Sequence, residues 1–136
     1  MGASFKSHFY LLRLDMGNLQ KLGVVPGAQA KSPPRGLNLI DWTDQFSNFS
    51  DAPLIANMDL IITVDTSVAH LAGALGRPVW MMLQFVPDWR WLLDGDESAW
   101  YPSMRLFRQP TRGDWRGVIK LVAESLSLWI ENHRTL

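Results

Sequence analysis

Residues 59–80, DLIITVDTSVAHLAGALGRPVW, constrain this chain more than any other stretch. Asp59 opens a continuous apolar run, rich in β-branched residues, that ends at Asp65. A run this short, without polar alternation, reads as a strand buried on both faces, as parallel strands are when helices cover them. From Thr66 the spacing turns helical, and Gly76 with Pro78 supplies the stop. PVWMML (78–83) is again strand-like and buried. Strand, helix and strand in this order predict an α/β fold whose parallel crossovers are right-handed. What needs explaining is the interruption: Asp65, Thr66 and Ser67 stand between two apolar segments, and His70 follows shortly after.

The remaining segments extend the same alternation. HFYLLRL (8–14) is a candidate first strand, 23–36 a loop with three Pro and three Gly, and GLNLIDW (36–42) a second short strand. Ser50 is a candidate N-cap, with Asp51 at the positive end and Pro53 tolerated in the first turn, so DAPLIANM is expected to be a short helix. Residues 86–103 look irregular, with one helical turn, and MRLFRQ (104–109) reads as a last strand. Asp114 caps a helix whose apolar positions 115, 118, 119, 122, 126, 129 and 130 share one face. The expectation is a single domain over 1–136 with a mainly parallel sheet flanked by helices, and residues 1–7 disordered.

Composition removes several function classes. Thirteen Lys plus Arg balance thirteen Asp plus Glu, so no net field draws in nucleic acid or an anionic membrane surface. No apolar run is long enough to span a bilayer. The absence of cysteine excludes disulfides, thiolate catalysis and cysteine zinc sites, and it is compatible with a reducing, cytoplasmic setting. His8, His70 and His133 show no metal-ligand spacing, so neither a metal nor another cofactor is expected. Five of the seven tryptophans lie between Trp80 and Trp115, which suits core and lid packing or an aromatic-rich pocket.

In open α/β sheets, ligands sit outside the carboxyl ends of the strands, where Asp65 falls. The first turn of the following helix has unpaired N–H groups and about half a positive charge, enough to hold a phosphate without a Gly-rich loop. Hydroxyls of Thr66 and Ser67 would add donors. Thr66, His70 and Gly73 lie at i, i+4 and i+7 on one stripe, with Gly73 suited to a close backbone approach, while Val68, Leu71, Ala72 and Leu75 can pack on the sheet. Ordinary capping explains the same residues without a ligand.

VDTSVAHLAGALGRPVW resembles the sugar-nucleotide-binding motif in the C-terminal half of GT-B glycosyltransferases of the heptosyltransferase-like kind, family 9. FVPDWRWLLDGDESAWYPSMRLFRQPTRGDW is similar to a bacterial group in which such a domain follows tetratricopeptide repeats. The resemblance runs from about Phe49 to Trp115. It implies a Rossmann-like domain, one half of a GT-B architecture, that is metal-independent and takes a nucleotide-diphosphate sugar as donor. It further implies that Asp65, Thr66 and the backbone at Ser67 and Val68 face the diphosphate and sugar, with His70 supporting the same site. Leu11 and Arg13 stand where the family usually carries Ser and Gln, which makes Arg13 a candidate cleft residue in altered surroundings. Trp89 and Trp91 either wall the donor cleft, with Arg90 neutralising phosphate, or pack the sheet edge, with Arg90 paired to Asp88 or Asp94. Arg105 and Arg108 read as a solvated strand face.

The family's acceptor site and usual catalytic base lie on the other half, which 136 residues cannot also contain. The implied function is therefore a donor site for sugar transfer to an acceptor hydroxyl, of hexosyl or heptosyl type, completed by an N-terminal catalytic half or repeat region. The alternative is a non-catalytic module for nucleotide binding or protein association, with Leu11, Trp89 and Trp91 as exposed apolar candidates and a homodimer as one form.

Overall fold

Four strands, β1 (Phe9–Leu12), β2 (Leu60–Val64), β3 (Val79–Leu83) and β4 (Met104–Arg108), form one sheet in that order. They belong to a computed structural model that describes residues 9–12 and 52–134. Arg13, the 23–36 loop, the 36–42 strand, the Ser50 cap and residues 1–7 lie outside the described residues. The order β2–β3–β4 is parallel throughout, with Ile61 beside Val79 and Val79 beside Met104. This three-stranded parallel sheet, with helices against it, is an α/β fold of Rossmann-like type. β1 runs antiparallel to β2, pairing Phe9 with Thr63 and Leu12 with Leu60. An antiparallel neighbour satisfies the backbone groups of β2 as fully as a parallel one would.

The apolar runs explain the burial. All five residues of β3 are buried, as are Leu60–Thr63 of β2, because both faces of the sheet are covered. On one face, Ile61, Met81, Leu83 and Leu106 pack with Ala69 and Ala72 of α2 (Ser67–Ala74) and with Trp91. On the other, Leu60, Ile62, Trp80, Met82 and Phe107 pack with Val118 and Val122 of α3 (Trp115–Arg134). The short helix α1 (Ala52–Ala56) places Ile55 in the first cluster.

Local signals set the helix ends. Asp114 accepts the Gly117 amide at 2.9 Å, the expected N-cap bond of α3. At the end of α2, Gly76 has φ +68°. Its amide reaches Gly73 O at 3.0 Å while that of Arg77 reaches Ala72 O at 3.0 Å, the paired bonds of a Schellman stop. Arg77 then donates from Nε and Nη2 to Met58 O at 3.0 and 2.6 Å, tying α2 back to the turn before β2. Two apolar assignments need correcting. Leu75 is exposed because the chain leaves the sheet at the helix stop, and Ala69 takes its expected place in the core. Ile119 is half-exposed, since the buried stripe of α3 runs through 118 and 122 and position 119 lies about 100° away.

The connection between β3 and β4 is irregular apart from a 3-10 turn at Trp89–Trp91. Trp91 anchors it, buried to 1% exposure. Arg108, expected on a solvated face, instead donates to the carbonyls of Trp91, Leu92 (3.1 Å), Asp94 (3.2 Å) and Gly95 (2.8 Å). It sits on the strand face that the connection crosses, so its guanidinium meets unpaired loop carbonyls before it meets water. Burial lowers its pKa from the ordinary arginine value, and Asp94 opposes that shift. Arg105, on the opposite face, is exposed as expected and lies 3.7 Å from Asp96. No helix among the described residues is long and apolar enough to cross a membrane.

Candidate functional site

β2 ends at Val64, and the chain passes Asp65 and Thr66 before α2 begins at Ser67. Thr66 is the N-cap residue, with extended φ −142° and ψ 168°, but its side chain makes no capping bond. Buried Thr63 accounts for this. Its hydroxyl lies 3.1 Å from Val64 O and 3.1 Å from the Thr66 hydroxyl, so the Thr66 side chain is turned toward Thr63 and away from the amides it would cap. Ala69 and His70 amides bond back to Thr66 O at 3.1 and 3.4 Å. The amides of Ser67 and Val68 have no partner among the described residues, as befits the first turn of an uncapped helix.

Asp65 and His70 do come together. His70 Nε2 is 3.6 Å from Asp65 Oδ1, and both side chains are about one-third exposed. The other carboxylate oxygen accepts the Trp91 indole N–H at 2.9 Å. On the far side of the imidazole, Nδ1 is 2.9 Å from the Tyr101 hydroxyl. The Tyr101 ring also lies over Gly73, where a Cβ would come within 2.6 Å of the ring carbon Cγ. Gly73 thus admits an aromatic ring, not the backbone foreseen for it.

The other candidates divide. Ser67 is exposed, while the Val68 side chain packs on the first cluster. Trp91 is a core residue with a polar contact to Asp65, and Trp89 beside it is 71% exposed. Arg90 pairs with Asp88 at 2.9 Å and sits over the Trp89 ring at 5.5 Å, so its charge is already matched. Arg13 lies outside the described residues. Tyr101 is the site residue that sequence reasoning missed, together with the polar role of Trp91. The placement of Gly73 at i, i+3 from His70, on the stripe that begins at Thr66, is the available signal.

A groove of about 280 Å³ opens at the carboxyl ends of β2 and β3, lined among others by Val64, Asp65, Gln84, Asp88 and Trp115. A second, of about 330 Å³, shares Gln84 and Trp115 and continues toward Arg112 beyond β4. Gln109, buried, holds its rim by accepting the Phe85 and Gly113 amides at 2.9 and 3.0 Å. The position is the one at which parallel α/β sheets receive ligands.

The model of glycosyltransferase family 9 (heptosyltransferase) matches residues 49–81, which run through α1, β2 and α2 into β3. This stretch contains Asp65 to His70 and marks a glycosyltransferase-like segment. The chain is also similar to Protein FlbA of Caulobacter vibrioides, with 36% identity over 75 residues. That alignment covers 55% of this chain and 12% of FlbA, so the chain spans only a small part of that relative's length. No solved structure matches.

Proposed function

We propose that the junction from Asp65 to His70 binds the donor of a sugar-transfer reaction, a nucleotide-diphosphate sugar. The observation that carries this reading is the open first turn of α2 at the carboxyl ends of parallel strands, within the segment matched by family 9. The unpartnered amides of Ser67 and Val68 and the positive end of the helix suit a phosphate. The Asp65 carboxylate repels phosphate and suits sugar hydroxyls, so the two groups divide the donor between them. Stabilising the departing diphosphate is the part of the chemistry assigned to this chain. An acceptor site and a base to deprotonate the acceptor hydroxyl would come from another domain or chain, such as an N-terminal catalytic half or a tetratricopeptide-repeat region.

Thermal stability measured against UDP-, ADP- and GDP-sugars tests the reading. At a ligand concentration of 100 times Kd, stabilisation of about 2.7 kcal/mol is expected. Asp65→Ala should remove it. Absence of any shift at millimolar concentration rules the donor site out.

A second reading has its own observation. Phe85, Val86, Trp89, Leu92, Leu93 and Trp100 are all exposed on the one connection between β3 and β4. Such a concentration suits a module that associates with protein, including a homodimer. Sedimentation that returns a monomer at all concentrations removes the homodimer form.

A further inference from the structure

Resting on the donor-site reading for its ligand, we infer that Trp91 and Tyr101 are positioning residues that set Asp65 and His70 as one oriented polar pair. Both aromatics come from the β3–β4 connection, so the strand–helix junction is fixed from outside itself.

The buried Trp91 indole has one polar atom, and a buried N–H requires an acceptor. Asp65 Oδ2 supplies it at 2.9 Å, which fixes the rotation of the carboxylate. Oδ1 is thereby turned to His70 Nε2, 3.6 Å away. An ionised carboxylate only accepts, so this contact is attractive when Nε2 carries the proton. A neutral imidazole has a single N–H, which leaves Nδ1 as an acceptor and makes the Tyr101 hydroxyl, at 2.9 Å, the donor. The carboxylate therefore selects the histidine tautomer, and the phenol holds the ring by donating to the nitrogen left free. Tyr101 is itself held: Ser98 Oγ accepts its amide at 3.1 Å, its carbonyl accepts the Met104 amide at 3.1 Å, and its ring fills the space left by Gly73. The result is a carboxylate whose remaining lone pairs point in a set direction beside the helix N-terminus. Its natural ligand is a polyhydroxylated sugar attached to a phosphate.

The test reads the imidazole nitrogens of His70 by long-range 1H–15N correlation in mildly alkaline buffer. The whole chain should show a protonated Nε2 and an unprotonated Nδ1. Tyr101→Phe keeps the ring over Gly73 and removes only the hydroxyl. It should move the Nδ1 resonance, which loses its donor, and weaken whichever of UDP-glucose, ADP-glucose or GDP-mannose binds by about three- to tenfold, the worth of one hydrogen bond. Gly73→Ala should move the same resonance with the hydroxyl still present. A protonated Nδ1 in the unaltered chain overturns the inference, as does an Nδ1 resonance indifferent to Tyr101→Phe. Unchanged affinity alongside a moved Nδ1 resonance overturns it too. If none of the three sugars binds yet the Nδ1 resonance follows Tyr101, the donor-site reading falls and the oriented pair stands.

Discussion

On the face of the sheet that carries α3, the strands contribute Leu60, Ile62, Trp80, Met82 and Phe107, and the helix answers with Val118 and Val122. On the opposite face the same strands contribute Ile61, Met81 and Leu106, but α2 and the β3–β4 connection bring Asp65, His70, Trp91 and Tyr101 to its edge. Both clusters exclude water from apolar side chains. What the α2 face adds is a carboxylate and an imidazole brought together at the end of β2 and held by an indole N–H and a phenol. Trp91 belongs to both tasks, since its ring fills the core while its N–H reaches the site.

Substitutions that separate these tasks sharpen the contrast. Trp91→Ala should have the largest effect, a loss of about 3–5 kcal/mol in urea unfolding for a large buried aromatic, together with loss of donor binding. Val118→Ala, on the α3 face, should cost about 2 kcal/mol and leave any nucleotide-sugar affinity unchanged in calorimetry. An altered affinity there would break the division between the faces. The smallest effect is expected for Asp114→Ala, about 1 kcal/mol from the lost cap, again without change in ligand binding.

The same division governs how much the sequence reveals. β2, β3, β4, the Gly76 stop and the Asp114 cap each follow from side chains within a few residues of one another, and they stand where the pattern puts them. The Asp65–Trp91 and His70–Tyr101 bonds join positions 26 and 31 apart, and no local preference encodes such a pairing. Arg108 illustrates the limit from the other side. Alternation within its strand makes it a surface residue, and only the path of the distant 91–95 loop makes it a tie. Thr66 carries the same lesson at short range, because a cap residue is expected to bond forward until buried Thr63 claims its hydroxyl.

The most direct measurement is a 1H–15N amide titration of the chain with UDP-, ADP- and GDP-sugars. Shifts should centre on the amides of Ser67 and Val68 and on the Trp91 indole N–H, while those of Val118 and Val122 stay in place. Shifts centred on α3, or none at millimolar ligand, would contradict a donor site at the α2 junction.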